Sequence, residues 1–161
     1  MSDDTKPDLE PLGPEHSRTV KTEIVLPQHT NAIGTAFGGT IMSWVDICAA
    51  VSAQRHCGRV AVTASVDVLD FVAPIRLGDV VTLTATVNCV FRTSMEVGVI
   101  VERELPGDAQ RVVCAESFLT FVNLGEDGRP APIRPLKLDS DEAKERAERA
   151  RARRAARLKA R

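Results

Sequence analysis

From Thr40 to Ala53 every residue is apolar or small except Asp46, after which Gln54, Arg55 and His56 restore polarity and Gly58 supplies a stop. The pattern predicts a long helix that is apolar nearly all round and therefore wrapped by other structure, taking Asp46 out of bulk water with it. A buried carboxylate without a partner is costly. It is either satisfied structurally, by backbone N–H groups or an arginine, or retained for chemistry. The helix start favours chemistry. Gly38 and Gly39 leave backbone N–H groups bare, allow close approach of a ligand and aim the positive end of the helix dipole at it, a setting that suits an oxyanion.

At about 100° per residue, Phe37, Ile41, Trp44, Val45, Cys48 and Ser52 share one face, with Asp46 on the opposite flank beside Met42, Ala50 and Ala53. A first strand is expected from Arg18 to Leu26, where Val20, Thr22, Ile24 and Leu26 alternate with Thr19, Lys21, Glu23 and Val25. After the helix, Val60, Val62, Ala64, Val66 and Val68 share a strand face, and the alternation slips at Leu69–Asp70–Phe71, predicting a bulge there. Pro74 and Gly78 mark a turn. Three more strands follow, from Asp79 to Cys89, around Met95 to Val101, and from Val112 to Val122. Short links at Phe91–Thr93 and Pro106–Asp108 suit antiparallel neighbours, so the second half reads as a meander. The fold class is α+β, with one helix laid on one sheet. One helix covers one face only, and a second copy of the chain is the simplest cover for the rest, which predicts a homo-oligomer.

The chain has 161 residues, a one-domain length, and 43% hydrophobic content, enough for a core. A formal net charge of −1 gives no overall argument for nucleic acid or an anionic membrane. Neither a signal peptide nor an apolar run of roughly 18 residues is present, so the expected location is cytoplasmic. Cys48, Cys57, Cys89 and Cys114 fall singly, without CxxC spacing, and read as reduced thiols serving as small hydrophobes. His56 and Cys57 point about 100° apart and lack companion ligands, so no metal is expected. Residues 1–17, rich in proline and acid, read as a disordered arm, and 125–138 as a Pro-rich linker. Residues 139–161 read as a basic C-terminal helix, with Asp139, Ser140, Asp141 and Glu142 at its positive end and an almost all-alanine apolar side. The expectation for it is a solvated terminal helix, with no nucleic-acid or membrane partner.

Three segments, His29-Thr30-Asn31 through GTAFGG to Asp46, then TASVDVLDFVAPIRLGD, then RTSMEV, together resemble the hotdog-fold acyl-CoA thioesterases, in the group of small bacterial and cytosolic long-chain acyl-CoA hydrolases. The resemblance is colinear over roughly residues 18–124. It implies a sheet curled around the long helix, protomers paired into a continuous sheet with active sites at the dimer interface, often three such dimers in a hexamer, and no cofactor beyond the CoA of the substrate. It also implies an asparagine ahead of the helix acting with an aspartate inside it, here Asn31 and Asp46. Asp46 would be general base on a water or nucleophile on the thioester carbonyl, Asn31 would orient the water or carbonyl, and N–H groups near Gly38 and Gly39 would stabilise the oxyanion. The bland reading of Asn31 is an Asx-turn or helix-entry cap.

Thr93 and Ser94 are candidates for the pantetheine or nucleotide part of CoA, and Arg92 for a phosphate; this chain has Phe91 where the family frequently has glycine. Phe71 is a candidate for the acyl or pantetheine passage, and Arg55 and His56 for the nucleotide. The rival to an acyl-CoA hydrolase is an acyl-CoA-binding sensor using the same cleft. Retention of both Asn31 and Asp46 favours the enzyme. An enoyl-CoA hydratase is disfavoured by the lack of an Asp/His pair at a comparable place.

Overall fold

The computed structural model describes residues 9–161. Helix α1 (Pro14–Ser17) leads into strand β1 (Thr19–Ile24), a 3-10 turn at Pro27–His29, the long helix α2 (Gly38–Cys57), strands β2 (Ala61–Phe71), β3 (Val80–Val90), β4 (Ser94–Glu104) and β5 (Arg111–Asn123), and helix α3 (Asp141–Lys159). The strands form one five-stranded antiparallel sheet in the order β1-β3-β4-β5-β2. The meander over β3, β4 and β5 is present, but β2 is not part of it. The chain from Val72 to Asp79 carries it from one edge of the sheet to the other side, leaving β2 paired with β5 alone. The sheet curls over α2, which touches all five strands.

Helix α2 starts at the Gly-Gly pair and stops where Gly58 takes the left-handed conformation at φ 68°, donating its N–H to the Gln54 carbonyl at 2.8 Å. Its buried stripe, Ile41, Trp44, Val45, Cys48, Ala49 and Ser52, meets Leu83, Ala85, Val97, Val99, Leu119 and Phe121 from the inner face of the sheet. Phe37, expected on that stripe, is 58% exposed because it is the N-cap residue, outside the helical turn. All four cysteines are free and buried, and burial raises each thiol above its ordinary range, consistent with their packing role.

Strand β2 departs from the expected bulge position. Its register slips twice, between Thr63 and Ser65 and between Val66 and Val68, while Leu69, Asp70 and Phe71 pair regularly with Ser117, Glu116 and Ala115. The small residues Thr63, Ala64 and Ser65 carry too little hydrophobic contrast for the first slip to show in the pattern.

The expected disordered arm lies outside the described residues for positions 1–8; from residue 9 it is folded, with Leu12 bridged to Leu136 and α1 packed against α2. The expectation of a solvated C-terminal helix is corrected as well. Ser140 caps α3 through a hydrogen bond from the Ala143 N–H at 3.1 Å, and Ala143, Ala147 and Ala150 are buried. Their small size lets the helix lie close to the outer face of the sheet. Arg153 grips Glu96 of β4 side-on, Nε to Oε2 at 3.0 Å and Nη2 to Oε1 at 2.7 Å, while its guanidinium lies 3.6 Å over the Phe118 ring. Asn88 of β3 donates to the same Oε1 at 3.0 Å. Gly98, which pairs with Thr86 two residues before Asn88, makes room for this: a Cβ there would stand 2.6 Å from the Asn88 amide nitrogen. No helix among the described residues is long and apolar enough to cross a membrane.

Glu96 is 2% exposed, so it depends on these donors for its charge. Arg153→Ala is expected to lower the unfolding free energy by about 3 kcal/mol in chemical denaturation. Arg153→Lys should restore only part of that, because an ammonium cannot reproduce the side-on fork.

Candidate active site

Asp46 projects from a flank of α2 toward the edge strand β2. It is partly exposed in the protomer, among Met42 at 48% and Ile47 at 49% exposure, because one sheet wraps only one side of the helix. Its carboxylate is nevertheless held: Thr63 of β2 donates its hydroxyl to Asp46 Oδ1 at 2.6 Å. Oδ2 has no partner among the described residues. The carboxylate forms part of the wall of a cavity of ≈ 450 Å³ whose apolar lining includes Met42, Val45, Val66, Leu69 and Leu119, with Gly39 at the helix start. Thr63 was not legible as a site residue. The only signal for it is a threonine on the face of β2 that meets the helix, and that face is defined by the two register slips.

Gly38 lines a neighbouring cavity of ≈ 380 Å³ with Thr35, Ile41, Phe71 and Pro74. The N-cap residue Phe37 provides no side-chain cap for α2, and the N–H groups of Gly38 and Gly39 have no acceptor among the described residues. The start of the helix is thus free to donate toward an anionic oxygen between the two cavities. Phe71 is 50% exposed and its ring is the nearest group to Gly38, 3.9 Å from where a Cβ would stand.

Asn31 is built into a turn rather than a helix cap. Its Oδ1 accepts from the N–H groups of Ile33 at 3.1 Å and Thr35 at 3.2 Å, and its Nδ2 donates to Thr35 Oγ1 at 2.7 Å. It is exposed and lines neither of the two cavities, so one protomer does not bring Asn31 and Asp46 together.

The remaining candidates gather elsewhere. Arg92 and Thr93 lie in the β3–β4 turn and Ser94 opens β4. Arg92 is exposed and lines a third cavity, ≈ 490 Å³, with Phe91, Leu136, Leu138 and Arg151, while the Thr93 carbonyl accepts from Asn123 N–H at 3.0 Å. Arg55 is exposed and donates through Nη1 to Thr19 Oγ1 at 3.1 Å. His56 does not face solvent: it is 1% exposed, with Nε2 donating to the Arg134 carbonyl at 3.0 Å and Nδ1 unpartnered. That position in the interior is at odds with the expected contact to a nucleotide.

Burial holds the His56 pKa below its ordinary 6.5, so the folded protein keeps the ring neutral where the unfolded chain takes up a proton. Stability from this group is therefore full above the unfolded value and lost as pH falls below it. Denaturation midpoints are expected to drop as pH falls below 6.5, and His56→Gln should flatten that part of the profile.

Comparison with known proteins gives a consistent picture. The thioesterase superfamily matches residues 33–109. An uncharacterised acyl-CoA thioester hydrolase of Bacillus subtilis is 46% identical over 119 residues, 74% of this chain and 69% of that one. A hexameric acyl-CoA thioesterase superposes with a TM-score of 0.89 at 38% identity, covering 94% of this chain and 97% of that one. An acyl-CoA hydrolase of Staphylococcus aureus, solved with butyryl-CoA, CoA and CoA disulfide, superposes at 0.85 with 34% identity, covering 92% and 93%. That enzyme has also been solved with an asparagine, an aspartate or a threonine replaced by alanine, and those three residues are spaced along its chain as Asn31, Asp46 and Thr63 are along this one.

Proposed function

The chain belongs to the acyl-CoA thioester hydrolases of the thioesterase superfamily, and we propose that its site is built on Asp46, held by Thr63, and completed by Asn31 from a second copy. The observation that carries this is the 2.6 Å hydrogen bond from Thr63 to Asp46 Oδ1 at the wall of an apolar cavity, with the uncapped start of α2 beside it. The hydroxyl occupies one carboxylate oxygen and leaves Oδ2 for the reaction.

The acyl chain occupies the cavity between α2 and β2, placing the thioester carbonyl near the free N–H groups of Gly38 and Gly39, which stabilise negative charge as it develops on oxygen. As general base, Asp46 takes a proton from water while the water oxygen bonds to the carbonyl carbon. The C–S bond then breaks and the proton passes to the departing CoA thiolate, leaving a carboxylic acid and free CoA. As nucleophile, Asp46 would form an anhydride that water opens, with the same products. Asn31 orients the water or the carbonyl. Phe71 lines the passage, and Arg92, Thr93 and Ser94 meet the pantetheine or nucleotide portion of CoA.

Two features support a shared site. Asn31 lies away from Asp46 within the protomer, and the surface around Asp46 is what a second copy would cover. Strand β2 is a sheet edge with Val62, Val66 and Val68 exposed at 41–46%, next to the exposed Met42 and Ile47 of α2. Pairing two β2 edges would give a continuous sheet and bury this apolar surface. The assembly we infer is a dimer unit within a hexamer, in line with the hexameric structural neighbour.

Thiol release from short, medium and long acyl-CoAs tests the reading. Asp46→Asn is expected to lower kcat by ~10²–10⁴-fold with the assembly intact. Thr63→Ala removes a hydrogen bond to a charged group, worth about 1.5–3 kcal/mol, or ~10–100-fold in rate. Binding of acyl-CoA by wild type without thiol release would overturn hydrolysis in favour of a binding role.

A further inference from the structure

The side of β2 that faces away from the cavity carries a second charged contact, and it sits at the second register slip. Asp67 is the residue skipped in pairing between Val66 and Val68. Its Oδ1 accepts from Ser65 Oγ at 3.1 Å, and Arg157 of α3 donates through Nη1 to both of its oxygens, at 2.8 and 2.6 Å. The two side chains are 13% and 20% exposed, so solvent screens this pair less than the exposed pairs within α3, such as Arg149–Glu145. On the same stretch Ser117 Oγ donates to the Val68 carbonyl at 2.7 Å. The Ser117 hydroxyl thus satisfies the Val68 carbonyl beside the slip.

The slips decide which residues of β2 face Asp46. Thr63, Val66 and Leu69 line the Asp46 cavity, spaced by three residues where an unbroken strand has two. Without the second slip, Val68 would follow Val66 on the cavity side in place of Leu69. Within the chain β2 has only β5 to define its register, since its other edge is unpaired.

We propose that Arg157 is a positioning residue for the reaction: by holding the Asp67 carboxylate on the outer face of the sheet it keeps the second bulge of β2 in place, and with it the step from Val66 to Leu69 along the wall of the Asp46 cavity. The proposal rests on the hydrolase reading for its effect on rate, and on the geometry alone for its effect on the strand. It places part of the active-site architecture in α3, which lies outside the segment matched by the superfamily.

The test compares wild type, Arg157→Ala, Arg157→Lys, the near-isosteric Asp67→Asn and, as a control on an exposed pair of the same helix, Arg149→Ala. Readouts are kcat and KM for thiol release, assembly size by light scattering, and amide exchange over residues 61–71 by mass spectrometry. Arg157→Ala and Asp67→Asn are expected to lower kcat by ~10–100-fold with little change in KM, at unchanged assembly size, with faster exchange in β2. Arg157→Lys should recover part of the rate and Arg149→Ala should match wild type. Parental kcat and parental exchange in Asp67→Asn would overturn the proposal, as would a rate loss in every variant that merely follows dissociation of the assembly. If wild type itself releases no thiol, the hydrolase reading fails, and the exchange data alone then judge the clamp: faster exchange in Arg157→Ala sustains it and unchanged exchange ends it.

Discussion

A five-stranded sheet has two faces, and in this protein they are covered by helices of opposite chemistry. The inner face, Leu83, Ala85, Val97, Val99 and Leu119, is met by the apolar stripe of α2, where dispersion and removal of apolar area from water hold the contact. The outer face carries Asn88, Glu96 and Asp67, and no apolar helix could cover those groups without orphaning them. The helix that does cover it presents alanines for close approach and arginines for the carboxylates. Each layer is thereby matched to one face, and exchanging them would leave buried charge on one side and exposed apolar surface on the other.

The arginine contacts are long-range connections between the chain's end and its catalytic half. Arg153 reaches 57 residues back to Glu96 and Arg157 reaches 90 residues back to Asp67. Because the fork of Arg153 meets a carboxylate that is nearly inaccessible, the pair fixes where α3 sits as well as that it sits. The alanine contacts alone would allow sliding, since one alanine row resembles the next.

These separations also explain what could be read from the sequence. Helix α2 was legible end to end, because its signals are local: glycines at both termini and an apolar run between them. Strands β3 and β4 were legible because valine, leucine and methionine alternate with polar residues over most of their length. The double slip in β2 was not, since the apparent alternation Val60–Val62–Ala64–Val66–Val68 runs on regularly through both slips, although only Val66 of these lines the Asp46 cavity. The docking of α3 was not legible either. Nothing within the run of arginines and alanines distinguishes Arg153 and Arg157 from arginines that face water, and only the fold brings Glu96 and Asp67 beneath them. At the site, Asp46 stood out by contrast with its apolar neighbours, whereas Thr63 is an ordinary threonine in a strand until the helix is laid against it. His56 looked available at a helix end, yet the linker folds back and places the Arg134 carbonyl over it.

Asn31 and Asp46 share one property despite their separation: each is immobilised by its own protomer. Asn31 is held by two N–H groups and the Thr35 hydroxyl, Asp46 by Thr63. Neither side chain therefore needs the other, or a substrate, to find its rotamer. Association of two such protomers would lose rigid-body freedom but little side-chain freedom, so the ordering of the reacting groups is complete before any substrate arrives. In the proposed site, the rate of the chemical step would be governed by contacts internal to a protomer, the Thr63 hydrogen bond above all. In the proposed dimer, assembly would govern how many sites are complete, through the exposed β2 edge and the Met42–Ile47 flank of α2. The two are separable because α3 holds β2 from the outer face of the sheet, opposite the cavity that Asp46 lines.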